Sequence, residues 1–160
     1  MNVTEIMTPD PLTVQADASV RDAARIMREH HIGGLPVLQG TRLVGMVTDS
    51  DLLALLSTRP PSEDLWLPSP LEIIEVPIRE FINWEKTKAA LTDIGTMPVS
   101  RVMSEPPITI AGEAAIEDAA ALMLREGIVR LPVMRGAELV GIVTRSDIVQ
   151  GLATGREPAA

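Results

Sequence analysis

The sequence repeats itself once, at a spacing of 96 residues. Residues 3–53 align with residues 99–149 without a gap, and 21 of the 51 aligned positions are identical. A repeat this long is too large for one unit of a solenoid, so it describes two homologous halves that must adopt the same local fold. Any fold proposed for the chain therefore has to contain the same motif twice.

Each half predicts the same five elements, in the order strand, helix, strand, strand, helix. In the first half the strands are expected at 12–14, 35–38 and 43–47, and the last helix at 49–57. The first helix is indicated by apolar residues at helical spacing, with Ser19 as its cap: Val20, Ala23, Ala24 and Met27. The second half repeats the pattern at 108–110, 116–126, 131–134, 139–143 and 145–153. We expect the first helix of each half to end near Gly33 and Gly127.

This order predicts an α/β (α+β) fold made of two β-α-β-β-α motifs. A small sheet must bury one face, and the sheet of the other half is the obvious partner. The predicted divisions are a first motif at 1–57, a linker with an insertion helix at 58–98, a second motif at 99–153 and a flexible tail at 154–160. The insertion helix is expected at 78–94. We expect it to pack on a sheet edge or in the groove between the halves, or to form a docking surface, through Trp66, Phe81 and Trp84.

Composition and charge exclude several classes of protein. The net charge of −8 argues against a nucleic-acid partner, which requires Lys and Arg to neutralise phosphates. No apolar run reaches the roughly 18 residues of a membrane span, and the N-terminus does not resemble a signal peptide. The chain contains no cysteine, so it has no disulfide framework, and a cytoplasmic location is the default expectation.

A T-x-x-D step follows the last strand of each half and precedes the last helix. Its members are Thr48 and Asp51 in the first half, and Thr144 and Asp147 in the second. The threonine can cap the helix, and the carboxylate at the third position can complete a capping box. A carboxylate retains lone pairs after accepting one backbone N–H, so capping and ligand binding are compatible.

These motifs, together with the opening V-x-x-I/V-M and the I-x-x-L-P-V segments at 32–37 and 128–133, resemble a tandem CBS-domain pair, also called a Bateman module. The resemblance covers both halves, about two-thirds of the chain. It implies two motifs packed about a pseudo-twofold axis, a homodimer, and binding of an adenosine-containing effector such as AMP, ADP, ATP or S-adenosylmethionine. It further implies an energy-sensing, regulatory role toward a partner enzyme, channel or transporter.

The resemblance also implies which residues bind the ligand. Asp51 and Asp147 would accept the ribose hydroxyls, with Thr48 and Thr144 at the helix start. The base pocket would be walled by the two Leu-Pro segments, which comprise Gly34, Leu35 and Pro36 in the first half and Arg130, Leu131 and Pro132 in the second. With no aromatic side chain in either motif, the base would lie among aliphatic groups such as Ile108, Val129 and Leu131.

The two sites are not expected to be equal. The second half has Arg130 and Arg145 where the first half has Gly34 and Asp49. Arginines near a helix N-terminus favour phosphate through charge-assisted hydrogen bonds, whereas an aspartate opposes it. We therefore expect a phosphorylated ligand to prefer the Asp147 site, and Arg130→Ala to weaken AMP binding more than Gly34→Ala.

No catalytic or metal-binding constellation is apparent in the sequence. Adjacent histidines such as His30 and His31 point in different directions at a helix end, which disfavours a metal site. No nucleophile has a sequence context that supplies a base. The chain is thus expected not to be an enzyme. The alternative to a nucleotide sensor is a dimerising interaction scaffold with no functional nucleotide site.

Overall fold

The computed structural model describes residues 1–57 and 93–155, and it contains the expected motif twice. The helices are α1 (Val20–His30), α2 (Asp49–Ser57), α3 (Ile116–Glu126) and α4 (Arg145–Thr154). The strands are β1 (Thr8–Pro9), β2 (Val14–Gln15), β3 (Gly34–Gln39), β4 (Arg42–Thr48), β5 (Ile110–Ala111), β6 (Arg130–Arg135) and β7 (Glu138–Thr144). Of the expected insertion helix only residues 93 and 94 lie in the described part, where 93–96 are helical. Trp66, Phe81 and Trp84 lie outside it.

The mixed α+β architecture is confirmed, with one sheet in each half. Strand β2 runs parallel to β3, which forms an antiparallel hairpin with β4, and β5, β6 and β7 repeat this arrangement. Gly40 and Gly136 occupy the tight turns of the two hairpins with positive φ angles of 64° and 62°, a backbone region in which glycine meets no steric cost. The first strand of each half begins two residues later than expected, at Val14 and Ile110.

Helix α1 ends at His30, before the expected stop at Gly33. His31 terminates it in the left-handed conformation (φ 53°), at the position where the second repeat has Gly127 (φ 67°). The next residue of each half donates its N–H back into the helix, Ile32 to the carbonyl of Met27 at 3.0 Å. The expectation was wrong because it required a glycine at a position that a histidine occupies here.

The two halves exchange their opening segments, an arrangement that the repeat alone did not indicate. Val3 donates its N–H to the carbonyl of Ala114 at 2.9 Å, and Val99 donates to the carbonyl of Ala18 at 2.8 Å. Both valines are fully buried, Val3 in the core of the second half and Val99 in the core of the first. Each half therefore completes its hydrophobic core with a segment from the other.

The exchange continues into the sheets and brings each opening segment into contact with the last strand of the other half, β4 or β7. β1 pairs antiparallel with β7, so that Thr8 lies opposite Ile142. The symmetric bridge joins Met46 to Ser104. At the same interface a Cβ on Gly45 would lie 2.7 Å from Sδ of Met103, so the absence of a side chain permits this approach. The last strand of each half thus ends against a segment of the other half.

Candidate functional site

Each T-x-x-D step forms a helix cap that holds its carboxylate in place. The N–H and Oγ1 of Thr48 donate to Oδ2 of Asp51 at 2.9 and 3.1 Å, and Asp51 N–H donates to Thr48 Oγ1 at 3.3 Å. Thr144 and Asp147 repeat these bonds at 2.7, 2.8 and 3.3 Å. In both pairs one carboxylate oxygen accepts both bonds, and within the described residues Oδ1 accepts none. An oriented carboxylate with a free oxygen can accept hydroxyl donors from a ligand.

Each of these carboxylates lines a cavity that is formed by residues of both halves. The Asp51 cavity, of about 290 Å³, combines Thr48 and Asp51 with residues 104, 106–108 and 127–130 of the second half. The Asp147 cavity, of about 370 Å³, combines Thr144 and Asp147 with residues 8–12 and 31–34 of the first half. Both volumes lie near the lower end of the range for small-molecule sites, about 300–1,000 Å³.

The two cavities are related by the 96-residue repeat, and their linings differ at seven equivalent positions, of which four are not conservative exchanges. The Asp51 cavity has Pro106, Gly127, Val129 and Arg130 where the Asp147 cavity has Asp10, His31, Gly33 and Gly34. The Asp51 cavity is therefore walled by more apolar surface, since Pro106 and Val129 replace an aspartate and a glycine. The side chains of Val129 and Ile108, 41% and 36% exposed, contribute to this wall.

Arg130 lines both cavities, because it lies between them. Its Nε and Nη1 atoms are buried and have no hydrogen-bond partner, and no ion pair includes it within residues 1–57 and 93–155. The guanidinium lies over Gly33 and Gly34: a Cβ on Gly33 would lie 2.7 Å from Nη2 of Arg130 and 3.0 Å from Oδ2 of Asp49. A buried donor without an acceptor costs free energy, so this geometry favours an anion beside Arg130.

The structure removes the two arginines as a reason to expect a phosphorylated ligand at the Asp147 site. The other reason, Asp49, does line the Asp51 cavity, but Asp10 lines the Asp147 cavity in the same way. Arg130 serves both cavities and so cannot distinguish them. Arg145 lines neither cavity: its side chain is exposed and donates to the carbonyl of Ile128 at 3.2 Å. Sequence order placed both arginines with Asp147, but the contact between the halves places 127–130 opposite Asp51.

The contact between the halves also decides which of the other expected site residues line a cavity. Ile108 and Val129 lie in the Asp51 cavity, and Gly34 lies in the Asp147 cavity. Four residues expected to wall the base are almost completely buried in the sheets and line neither cavity: Leu35, Pro36, Leu131 and Pro132. The residues that precede them in the chain, 31–34 and 127–130, line the cavities instead.

Sequence reasoning missed several cavity residues, notably Asp10, His31, Pro106 and Pro107. The segments 8–12 and 104–108 are proline-rich and occupy equivalent positions in the repeat. That repetition is a signal that could have drawn attention to them. It could not reveal that each segment faces the T-x-x-D step of the opposite half.

Within the described residues, no group of three or more histidine, aspartate or glutamate side chains could hold a metal ion.

Comparisons with known proteins agree with the repeated motif. The family model described as CBS domain matches residues 3–58 and 99–154. An uncharacterized protein of Methanocaldococcus jannaschii is 35% identical over 144 residues, which cover 89% of this chain and 86% of that protein. An inosine-5'-monophosphate dehydrogenase of Korarchaeum cryptofilum is 31% identical over 140 residues, or 87% of this chain. Those residues cover only 22% of the dehydrogenase, so the activity of the whole enzyme does not follow.

A solved structure offers a ligand-bound comparison. The crystal structure of CBSX2 in complex with AMP matches with a TM-score of 0.67 at 28% identity, over 95% of this chain and 96% of that one. CBSX2 is a chloroplastic CBS domain-containing protein of Arabidopsis thaliana. Within residues 1–57 and 93–155 of the present chain, no helix has both the length and the apolar character needed to cross a membrane.

Proposed function

The chain belongs to the CBS-domain family, and from this premise we propose that it is a regulatory module that binds an adenosine nucleotide between its two halves. AMP is the first candidate, because the similar CBSX2 forms a complex with AMP. ADP, ATP and S-adenosylmethionine share the adenosine group and remain alternatives. The occupied module would act on a partner protein of the same cell.

One observation supports this function above the others. In the Asp51 cavity, a fixed carboxylate with a free oxygen, an apolar wall and an unpaired guanidinium face the same space. A ribose diol requires an oriented acceptor, a base requires apolar surface, and a phosphate requires charge-assisted donors. The three groups of the cavity correspond to the three parts of a nucleotide.

The Asp51 cavity is a better nucleotide site than the Asp147 cavity. Asp10 and His31 bring polar groups into the Asp147 cavity, and Gly33 provides no side chain against which a base could pack. Their counterparts Pro106, Gly127 and Val129 are not polar, although the Asp51 cavity has Asp49 as its own second aspartate. Burial of apolar surface stabilises a bound base by about 25 cal/mol per Å². We therefore place the adenosine in the Asp51 cavity.

A ligand in this position can regulate because its contacts come from both halves. Thr48 and Asp51 belong to the first half, whereas Ile108, Val129 and Arg130 belong to the second. A ligand shifts a conformational equilibrium only by its difference in affinity for two arrangements. A nucleotide that contacts both halves favours the arrangement in which both halves line the cavity. A partner protein can recognise that arrangement.

Thermal melting with added nucleotides tests this proposal. AMP, ADP, ATP and S-adenosylmethionine are each added at about 1 mM, with GMP as a control for the base. For a dissociation constant near 10 μM, linkage adds about 2.7 kcal/mol to the free energy of unfolding, which corresponds to several degrees. We expect an increase with at least one adenosine ligand and a smaller one with GMP. No increase with any adenosine ligand would contradict the proposal.

A dimerising scaffold is the second candidate, and exposed apolar residues on α2 and α4 favour it. Leu53 and Val149 occupy equivalent positions in the repeat and are 64% and 67% exposed, and Leu56 and Leu152 form a second such pair. An isologous interface uses the same patch on both copies. This surface could also transmit nucleotide occupancy between two copies, so the scaffold and the sensor differ only in whether the cavities bind ligand.

A further inference from the structure

We infer that Arg130 is the shared phosphate-binding residue of both cavities, so that the chain holds one phosphorylated nucleotide at a time although it has two cavities. This inference rests on the proposed function and specifies its stoichiometry. It states that a nucleotide in one cavity prevents a second nucleotide from binding in the other.

The first reason is that, within residues 1–57 and 93–155, no other lysine or arginine lines either cavity. Arg130 borders both, whereas each cavity has two aspartates of its own: Asp49 and Asp51 in one, and Asp10 and Asp147 in the other. A phosphate that enters either cavity without Arg130 therefore meets two carboxylates and no permanent positive charge. Like charges at short range disfavour such binding.

The second reason is that only one side chain fits at the pseudo-twofold axis. Position 130 is the repeat equivalent of position 34, where the first half has glycine. A Cβ on Gly34 would collide with Nη1 of Arg130 and lie 3.0 Å from its Cδ. The space that a second arginine would need is thus filled by the first, and the two cavities must share one guanidinium.

The third reason is that the guanidinium is prepared for an anion. Its Nε and Nη1 atoms are buried and lack acceptors, although a buried donor is normally satisfied. A phosphate can accept a charge-assisted hydrogen bond from this guanidinium. Once Arg130 has paired with one phosphate, a second phosphate would find the positive charge neutralised and a like charge close by.

The test compares AMP with adenosine on the full chain, using calorimetric titration and amide NMR shifts of residues 48–51 and 144–147. We expect one equivalent of AMP per chain, with shifts saturating at only one of the two helix starts. AMP should bind at least about tenfold more tightly than adenosine because adenosine cannot use Arg130. In Arg130→Gly, which reproduces the residue found at position 34, the ratio of AMP affinity to adenosine affinity should fall to about one.

Two outcomes would overturn the inference while leaving the proposed function intact. One is binding of two AMP molecules with similar affinity. The other is an equal loss of AMP and adenosine affinity in Arg130→Gly, which would show that Arg130 shapes the cavities without contacting phosphate. Failure of both AMP and adenosine to bind the unmodified chain would overturn the proposed function, and this inference with it. Arg130→Lys, which keeps the charge, should retain part of the preference for AMP.

Discussion

Gly34 and Arg130 occupy equivalent positions in the two repeats and meet across the axis that relates them. The glycine is buried, and the arginine side chain fills the space that a Cβ at position 34 would need. The same two residues line the Asp147 cavity together. This asymmetric pair places one positive charge where the two cavities adjoin.

The contact predicts that Gly34→Ala is not a neutral change. We expect it to lower the free energy of unfolding by about 1–3 kcal/mol, because the new methyl group overpacks against Arg130. In an Arg130→Gly background the cost should fall, although the carbonyl of Val47, 3.1 Å from the added Cβ, retains part of it. A double-mutant cycle measured by urea unfolding gives the coupling directly. Equal costs in the two backgrounds would show that the residues are not coupled.

The two helix caps provide matched variants for the ligand site. Asp51→Asn and Asp147→Asn should lower the melting temperature by similar amounts, since both carboxylates accept the same pair of bonds from a threonine. They should differ in their affinity for AMP. Asp51→Asn is expected to lower this affinity by about 10- to 100-fold, which is the cost of losing a charged hydrogen bond. Asp147→Asn should lower it by much less. Calorimetric titration with AMP makes the comparison, and a larger loss in Asp147→Asn would move the nucleotide to the other cavity.

Sequence reasoning predicted most elements of the two repeated motifs because each depends on neighbouring residues. The hairpin follows from the turn at Gly40, and the start of α1 follows from Ser19, whose Oγ accepts the N–H of Asp22 at 3.1 Å. The starts of α2 and α4 follow from the T-x-x-D steps. The end of α1 was placed wrongly because His31 adopts the left-handed conformation usually assigned to glycine.

The composition of the cavities could not be predicted in this way, because it depends on how the two halves pack against each other. A pseudo-twofold axis brings the start of β6 opposite Asp51, although Arg130 lies much closer to Asp147 in the sequence. The sequence of one half does not indicate which of its surfaces contacts the other half. The identity of Arg130 as a candidate phosphate ligand was accessible from its charge, whereas its position between the cavities required the structure.

The exchange of opening segments predicts a long-range effect of a substitution near the N-terminus. Val3 is fully buried in the core of the second half, among Leu131, Val133 and Val143. Val3→Ala should lower the free energy of unfolding by about 1–3 kcal/mol through the cavity it leaves. Hydrogen exchange should accelerate more at the amides of β6 and β7 than at those of β3 and β4.

Leu12→Ala is the control for this experiment, since Leu12 lies nearby in sequence but is 43% exposed. It should change the free energy of unfolding by less and show no preference for the second half. If Val3→Ala accelerated exchange mainly in β3 and β4, the segment exchange would not describe the protein in solution.

The apolar residues on α2 and α4 predict self-association. If two copies meet through these helices, Leu152→Glu should shift the protein from dimer to monomer at micromolar concentration, because it introduces two charges into one isologous interface. Leu124→Glu is a matched control: Leu124 lies on α3 and is 76% exposed, slightly more than Leu152 at 67%. Sedimentation velocity distinguishes the two species. Unchanged sedimentation of Leu152→Glu, or a monomer produced equally by Leu124→Glu, would exclude α4 as the contact, and the scaffold function would then lose the observation that favours it.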